Sequence, residues 1–177
     1  MSDKLVWIDL EMTGLENTDS IMEIACLITD KDLNIIEKGP EIVIRHSRER
    51  LDQMGEWCTK HHGDNGLTDA CINSKFTVQD AESKVVDFIK KHLDQEQGML
   101  AGNSVHADKQ FLIREMPRIV ELLHYRIVDV STIKELCRRW YPKEFAEAPR
   151  KGNAHRAMDD IVESVNELKY YRNAVFK

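Results

Sequence analysis

The spacing of apolar positions changes several times along this chain, and each change marks an element. Leu5 to Met12 is apolar except for two carboxylates and predicts a strand; Met22 to Thr29 (MEIACLIT) predicts a second. A third, Ile35 to Arg45, is interrupted at Gly39-Pro40, and Asp30-Lys31-Asp32 supplies the turn before it. Such short polar connections make the opening third antiparallel. From Ser47 to Leu93 the period becomes helical. Val85, Val86, Phe88, Ile89 and Leu93 share one helix face, and Thr77 with Asp80 is placed to cap that helix. A short strand at Met99–Gly102 precedes Asn103-Ser104 and a helix from Val105 to Glu115, stopped near Pro117. Tyr125–Val130 is a further strand, leading through Ser131-Thr132 into a helix that ends near Tyr141. Pro142–Asn153, with two prolines, a glycine and several charges, reads as a loop. An amphipathic helix from Arg156 to about Val175 closes the chain, with Ile161, Val165, Leu168 and Tyr171 on one side. The order predicts one α/β domain over residues 1–177, a mixed sheet covered by helices.

Composition narrows the function classes more than the fold. At 177 residues the chain can bury a core large enough to fold without disulfides or a structural metal. Its four cysteines (Cys26, Cys58, Cys71, Cys137) form no C-x-x-C pair and no zinc spacing, so reduced intracellular thiols are expected. No apolar run approaches the roughly 18 residues of a membrane span. MSDKLVWIDL enters a strand pattern at once, so neither a secretory signal nor a transit peptide is read there; cytoplasm and mitochondrial matrix are both expected locations. Lys+Arg number 25 against 31 Asp+Glu, a net charge of −6. The deficit is concentrated in residues 1–100, which carry 11 basic against 20 acidic residues. An acidic chain is poorly suited to gripping long nucleic acid, where affinity comes from neutralising many phosphates. A short phosphate-bearing substrate is not excluded by that argument.

Candidate chemistry lies in three places. In Val6-Trp7-Ile8-Asp9-Leu10-Glu11-Met12, strand alternation puts Asp9 and Glu11 on one face and Val6, Ile8, Leu10 and Met12 on the other. Two adjacent carboxylates in so apolar a strand repel each other and favour protonation unless a cation sits between them. A solvated face on an edge strand explains the same pattern equally well. In Gly102-Asn103-Ser104-Val105-His106-Ala107-Asp108, a turn of small residues opens a helix with Asp108 in its first turn, where a carboxylate also suits the helix dipole. In His155-Arg156-Ala157-Met158-Asp159-Asp160, a histidine precedes the last helix and two acids lie within its start.

Together, Asp-x-Glu, Asp and Asp, with a histidine five residues before the last acid, resemble the metal-dependent 3′→5′ exonucleases of ribonuclease H-like fold. Longer blocks narrow the resemblance to the oligoribonuclease family: WIDLEMTGL at Trp7–Leu15, EIACLITD at Glu23–Asp30 and EWCTKHHGDNGLT at Glu56–Thr68. LAGNSVHADKQFL at Leu100–Leu112, YRIVDVSTIKELCRRWYP at Tyr125–Pro142 and HRAMDDIVES at His155–Ser164 extend it over nearly the whole chain. The resemblance implies a ribonuclease H-like mixed five-stranded sheet and hydrolysis of very short RNA, dinucleotides especially, to nucleoside 5′-monophosphates. It implies that Asp9, Glu11, Asp108 and Asp160 bind two Mg²⁺ or Mn²⁺ ions, and that His155 is the general base. Leu15 and Trp57 match positions that wedge and stack on bases, although core packing is the simpler reading of a tryptophan taken alone. His62 matches a residue near the scissile phosphate, with His61 beside it as a competitor. Ser104, Arg126 and Ser131 match positions around a substrate 5′ phosphate, and Tyr125 matches an aromatic donated across a homodimer. A buried strand residue is the ordinary alternative for Tyr125, and a surface ion pair for Arg126. No stable partnership with long nucleic acid or membrane is expected. Two rivals follow: an exonuclease working on longer RNA or single-stranded DNA ends, and a binding module that keeps the fold without turnover.

Overall fold

The computed structural model describes residues 2–93, 97–149, 152 and 156–177. Among these, the strands are β1 (Leu5–Met12), β2 (Ile21–Thr29), β3 (Ile35–Val43), β4 (Gly98–Gly102) and β5 (Leu123–Asp129). The helices are α1 (Arg48–Leu51), α2 (Glu56–Asp64), α3 (Leu67–Asn73), α4 (Val78–Leu93), α5 (Val105–Glu115), α6 (Pro117–Val120), α7 (Val130–Trp140), α8 (Pro142–Glu147) and α9 (Ala157–Val175). One five-stranded sheet runs in the order β3-β2-β1-β4-β5. β1, β2 and β3 pair antiparallel, whereas β4 runs parallel to both β1 and β5, so the sheet is mixed as expected.

β1 is thus the central strand, which disposes of the edge-strand explanation for its acids. Its alternation is resolved by helices on both faces. Val6, Ile8 and Leu10 enter the larger core with Val85, Ile89, Val105, Phe111 and Leu112 from α4 and α5. Trp7, on the opposite face, packs with Ala25, Leu27 and the α9 residues Ala157, Ile161 and Val165. β2 is buried along its whole length, as a strand covered on both sides must be.

Two local expectations fail for physical reasons. β3 continues through Gly39-Pro40: Ala25 pairs with Glu41 and Leu27 with Lys38, so two residues oppose the single Cys26 in a bulge. An outer strand tolerates the missing proline N–H there. Within Pro142–Asn153, the first six residues form α8 instead of a loop, because a proline at the first helical position loses no needed hydrogen bond. Tyr170 ties this helix to α9 by donating its hydroxyl to the Glu144 carbonyl at 2.6 Å. The Thr77–Asp80 cap is present, with Asp80 N–H donating to Thr77 Oγ1 at 3.1 Å and Thr77 N–H to Asp80 Oδ2 at 2.9 Å. The Asp30–Asn34 turn closes on Asp30 Oδ1, which accepts from both Asp32 and Asn34 N–H at 2.8 Å.

Gly39 reports on how closely α4 is seated. A Cβ built there falls 2.4 Å from the Phe88 ring. Gly39→Ala should therefore cost about 1–3 kcal/mol by overpacking, read as a lower midpoint in urea unfolding. The same substitution at Gly63, where a Cβ meets nothing, should be far milder.

Candidate metal and nucleotide site

β4 pairs with β1 only over Leu5–Trp7. Past Trp7 that pairing stops, near the carboxyl ends of two parallel strands, where open α/β sheets have their ligand-binding crevice. Asp9 and Glu11 sit on β1 at this point. On the covering helix, Asp160 lies in the first turn of α9, with its N–H donating to the Arg156 carbonyl at 3.0 Å. One carboxylate oxygen each from Asp9, Glu11 and Asp160 lies within 4.8 Å of the other two. Asp108 of α5 stands beside this group, not in it. Its Oδ1 accepts the Leu10 N–H at 2.9 Å, supplying β1 with the partner that β4 no longer provides.

Burial raises the cost of ionising these acids. The Glu11 carboxyl is pushed from its ordinary 4.5 to about 8, first by desolvation and then by the charges of Asp160, Glu23 and Asp108, with Arg156 opposing. Asp108 rises to about 7, mainly by desolvation, against the hydrogen bonds from the Leu10 and Asp108 backbone that favour its charged form. Clustered hard oxygen donors that shed charge only by taking up protons fit a divalent cation such as Mg²⁺ or Mn²⁺.

The other expected residues divide into two flanks. On one, Leu15 is 75% exposed in the segment that follows β1. That segment is braced by Asp19, whose Oδ1 accepts from Thr13 Oγ1 at 2.7 Å and faces Arg50 at 3.3 Å. Trp57, 59% exposed on α2, is not a core residue; it stacks on His61 with ring centroids 4.0 Å apart. His62, by contrast, is buried, with Nε2 2.9 Å from the Met12 carbonyl oxygen and Nδ1 4.0 Å from Glu11 Oε2. Of the two histidines, His62 is the one that faces the acids. On the other flank, Ser104 takes a left-handed conformation (φ 56°), and its N–H donates to Asp129 Oδ1 at 2.9 Å. The same oxygen accepts from Ser131 N–H and Ser131 Oγ at 2.9 and 2.7 Å. Tyr125 is 73% exposed on the outer strand β5, overturning the buried-strand reading, and the Arg126 guanidinium lies 5.4 Å from its ring centroid. His155 falls outside the described residues.

Three participants escaped the sequence reading: Glu23, Arg156 and Asp129. A lone glutamate in a strand buried on both faces was a usable signal for Glu23. Asp129 was marked by its place just before Ser131, where it caps α7.

The arrangement is that of an exonuclease built on a mixed sheet with helices on both faces: a family model described as RNase_T, Exonuclease, matches residues 6–168. The chain superposes on the nuclease domain of 3′hExo, a DEDDh family member bound to rAMP, with a TM-score of 0.68 over 98% of this chain and 94% of that one. Sequence identity there is only 17%, so that likeness speaks for the fold. Identity is 54% over the full chain and 75% of a Bos taurus protein named mitochondrial oligoribonuclease, and 53% to its Homo sapiens counterpart over the same shares. A Marinobacter nauticus oligoribonuclease is 47% identical over 99% of this chain and 97% of its own. The chain belongs to the oligoribonuclease family.

Raised carboxyl pKa values set a pH dependence. Near neutrality the metal-free folded protein retains a proton on Glu11 that the unfolded chain has lost, so this contribution to stability is complete below about 4.5 and lost as pH rises through about 8. In EDTA, the melting temperature should fall across that window. Glu11→Gln should flatten the fall, and Mn²⁺ should restore stability most at the alkaline end. Differential scanning fluorimetry over pH 5 to 8.5 measures all three; a fall in EDTA that Glu11→Gln leaves untouched would place its origin elsewhere.

Proposed function

We propose that this 3′→5′ exoribonuclease works on very short RNA, dinucleotides above all, and releases nucleoside 5′-monophosphates by hydrolysis assisted by two metal ions. The observation that carries the reading is the convergence of Asp9, Glu11 and Asp160 within 4.8 Å where α9 starts over β1, in a chain about half identical to oligoribonucleases. Asp9, Glu11, Asp108 and Asp160 would hold Mg²⁺ or Mn²⁺, which when bound neutralises charge on the scissile phosphate and acidifies the attacking water. His155 accepts the proton of that water as its oxygen bonds to phosphorus. The phosphorus–O3′ bond breaks, and the departing O3′ takes a proton from water, leaving the phosphate on the released nucleotide's 5′ oxygen. An imidazole is suited to this exchange near neutral pH.

Substrate length follows from the flanks. Leu15 and Trp57 offer exposed apolar surface to bases without reading their edges, which suits a degradative enzyme. His62, beside Glu11, contacts the scissile phosphate. Ser104, Arg126 and Ser131 enclose the 5′ phosphate, and Tyr125 reaches the site from the partner in a homodimer. Its exposure on an outer strand supports that role. A net charge of −6 agrees with a substrate that carries few phosphates. No helix among the described residues is long and apolar enough to cross a membrane. Mitochondrial matrix or cytoplasm is the expected location, in line with the mammalian and bacterial relatives.

Timed digestion of a 5′-labelled RNA series from two to twenty nucleotides, with Mn²⁺ or EDTA, tests the reading. Dinucleotides should disappear fastest and EDTA should stop all cleavage; faster loss of twenty-nucleotide strands would favour the long-strand exonuclease. His155→Ala should lower kcat by roughly 10²–10⁴-fold and remove the acidic limb of the pH–rate profile. An unaltered kcat would exclude His155 as the base.

The shared site has its own test. Mixed Tyr125→Ala and Asp108→Ala subunits should recover activity that neither shows alone, because one site of each heterodimer is intact. Failure of mixtures shown to exchange subunits would rule out contribution in trans.

A further inference from the structure

Glu23 is the most deeply placed charge near the crevice, at 0% exposure on β2 and in register with Glu11 across the β1–β2 pairing. Its carboxylate is engaged from one direction. Arg156 Nη2 donates to Oε1 at 2.6 Å, Arg156 Nε lies 3.1 Å from both oxygens, and Ala157 N–H donates to Oε2 at 3.3 Å. Arg156 is the cap residue just before α9, and its own side chain makes no capping hydrogen bond. The sheet therefore supplies the cap: a carboxylate receives the first helical N–H, where it also complements the helix dipole. Asp160 follows within one turn, its N–H on the Arg156 carbonyl. Whatever fixes Arg156 against β2 fixes Asp160 opposite Asp9 and Glu11.

Charge gives the pair a second effect. The Arg156 guanidinium acts on Glu11 as a counter-charge, and without Glu23 it would oppose a divalent cation among the acids. A bidentate carboxylate cancels it at the shortest range while keeping the helix start rigid.

We propose that Glu23 and Arg156 form a positioning pair for the metal site: Glu23 sets where α9 starts, and with it Asp160, and neutralises the guanidinium that would otherwise weaken cation binding. The inference rests on the exonuclease reading for its turnover arm only; its binding arm uses the metal alone. The experiment measures Mn²⁺ binding from the electron paramagnetic resonance signal of free Mn²⁺, together with kcat and KM on a dinucleotide and a thermal melt. Glu23→Gln keeps the shape and removes the charge; it should weaken Mn²⁺ binding tenfold or more. Glu23→Asp and Arg156→Lys keep the charges but shorten the reach or lose the fork. They should hold Mn²⁺ binding and KM within about threefold of wild type, and lower kcat at saturating Mn²⁺ tenfold or more. Folded Glu23→Gln that binds Mn²⁺ like wild type overturns the proposal. So does unchanged kcat in both conservative variants, which decide the matter should Glu23→Gln not fold. Activity lost only in proportion to the unfolded fraction also overturns it. Wild-type protein that binds Mn²⁺ but leaves the dinucleotide intact would instead count against the exonuclease reading.

Discussion

Mutual repulsion among carboxylates is the constraint around which this molecule is arranged. Like charges about 5 Å apart in a partly desolvated crevice cost about 3 kcal/mol per pair at an effective dielectric near 20, and three such groups meet here within 4.8 Å. A fold does not gather such groups by accident of packing; hydrophobic burial elsewhere must hold them. The large core beneath β1 and the smaller one under α9 press the strand and the helix together from opposite sides. In the absence of a cation the site responds by retaining protons, as the displaced Glu11 and Asp108 carboxyls record.

Mixed sheet topology leaves the carboxyl half of β1 without a partner on its β4 side. Had β4 paired with β1 along its whole length, the Leu10 amide would be in the ladder and Asp108 would have no place at the strand. Because the pairing stops at Trp7, α5 can deliver Asp108 to that amide, and β4 can turn through Gly102 towards Ser104. Gly102 is required by close approach: a Cβ there meets Val105 at 2.8 Å and the Ile8 carbonyl at 3.1 Å. Asp129 then links the turn after β4 to the start of α7, so Ser104 and Ser131 are placed by a single carboxylate oxygen. A short stretch of β1 paired on its β2 side alone thus organises both the acids and the flank beside them.

Much of this was legible in one dimension because it depends on period and spacing. Alternation along Leu5–Met12 put Asp9 and Glu11 on one face before any fold was known, and the helical stripe of Val85, Val86, Phe88, Ile89 and Leu93 is a core face in the structure. The family blocks, distributed over nearly the whole chain, carried the class of chemistry. Local rules misled where tertiary context outweighed them. Gly39-Pro40 looks like a break but lies in an outer-strand bulge, and Pro142 looks like a loop but starts a helix.

Nothing in the sequence's period could decide that β1 is central, that Trp57 and Tyr125 stand exposed, or that His62 rather than His61 turns to Glu11. Those outcomes depend on which elements cover which faces, a non-local matter. Glu23 and Arg156 make the same point: they are separated by most of the chain, and no local spacing links one to the other. Only the docking of α9 across β2 brings the guanidinium to the buried carboxylate. By itself the sequence determined the residue types and their local faces, since these follow from backbone periodicity. The tertiary structure decided which charges share a crevice and which are neutralised, because electrostatic energy depends on distance and burial in space, not on separation along the chain.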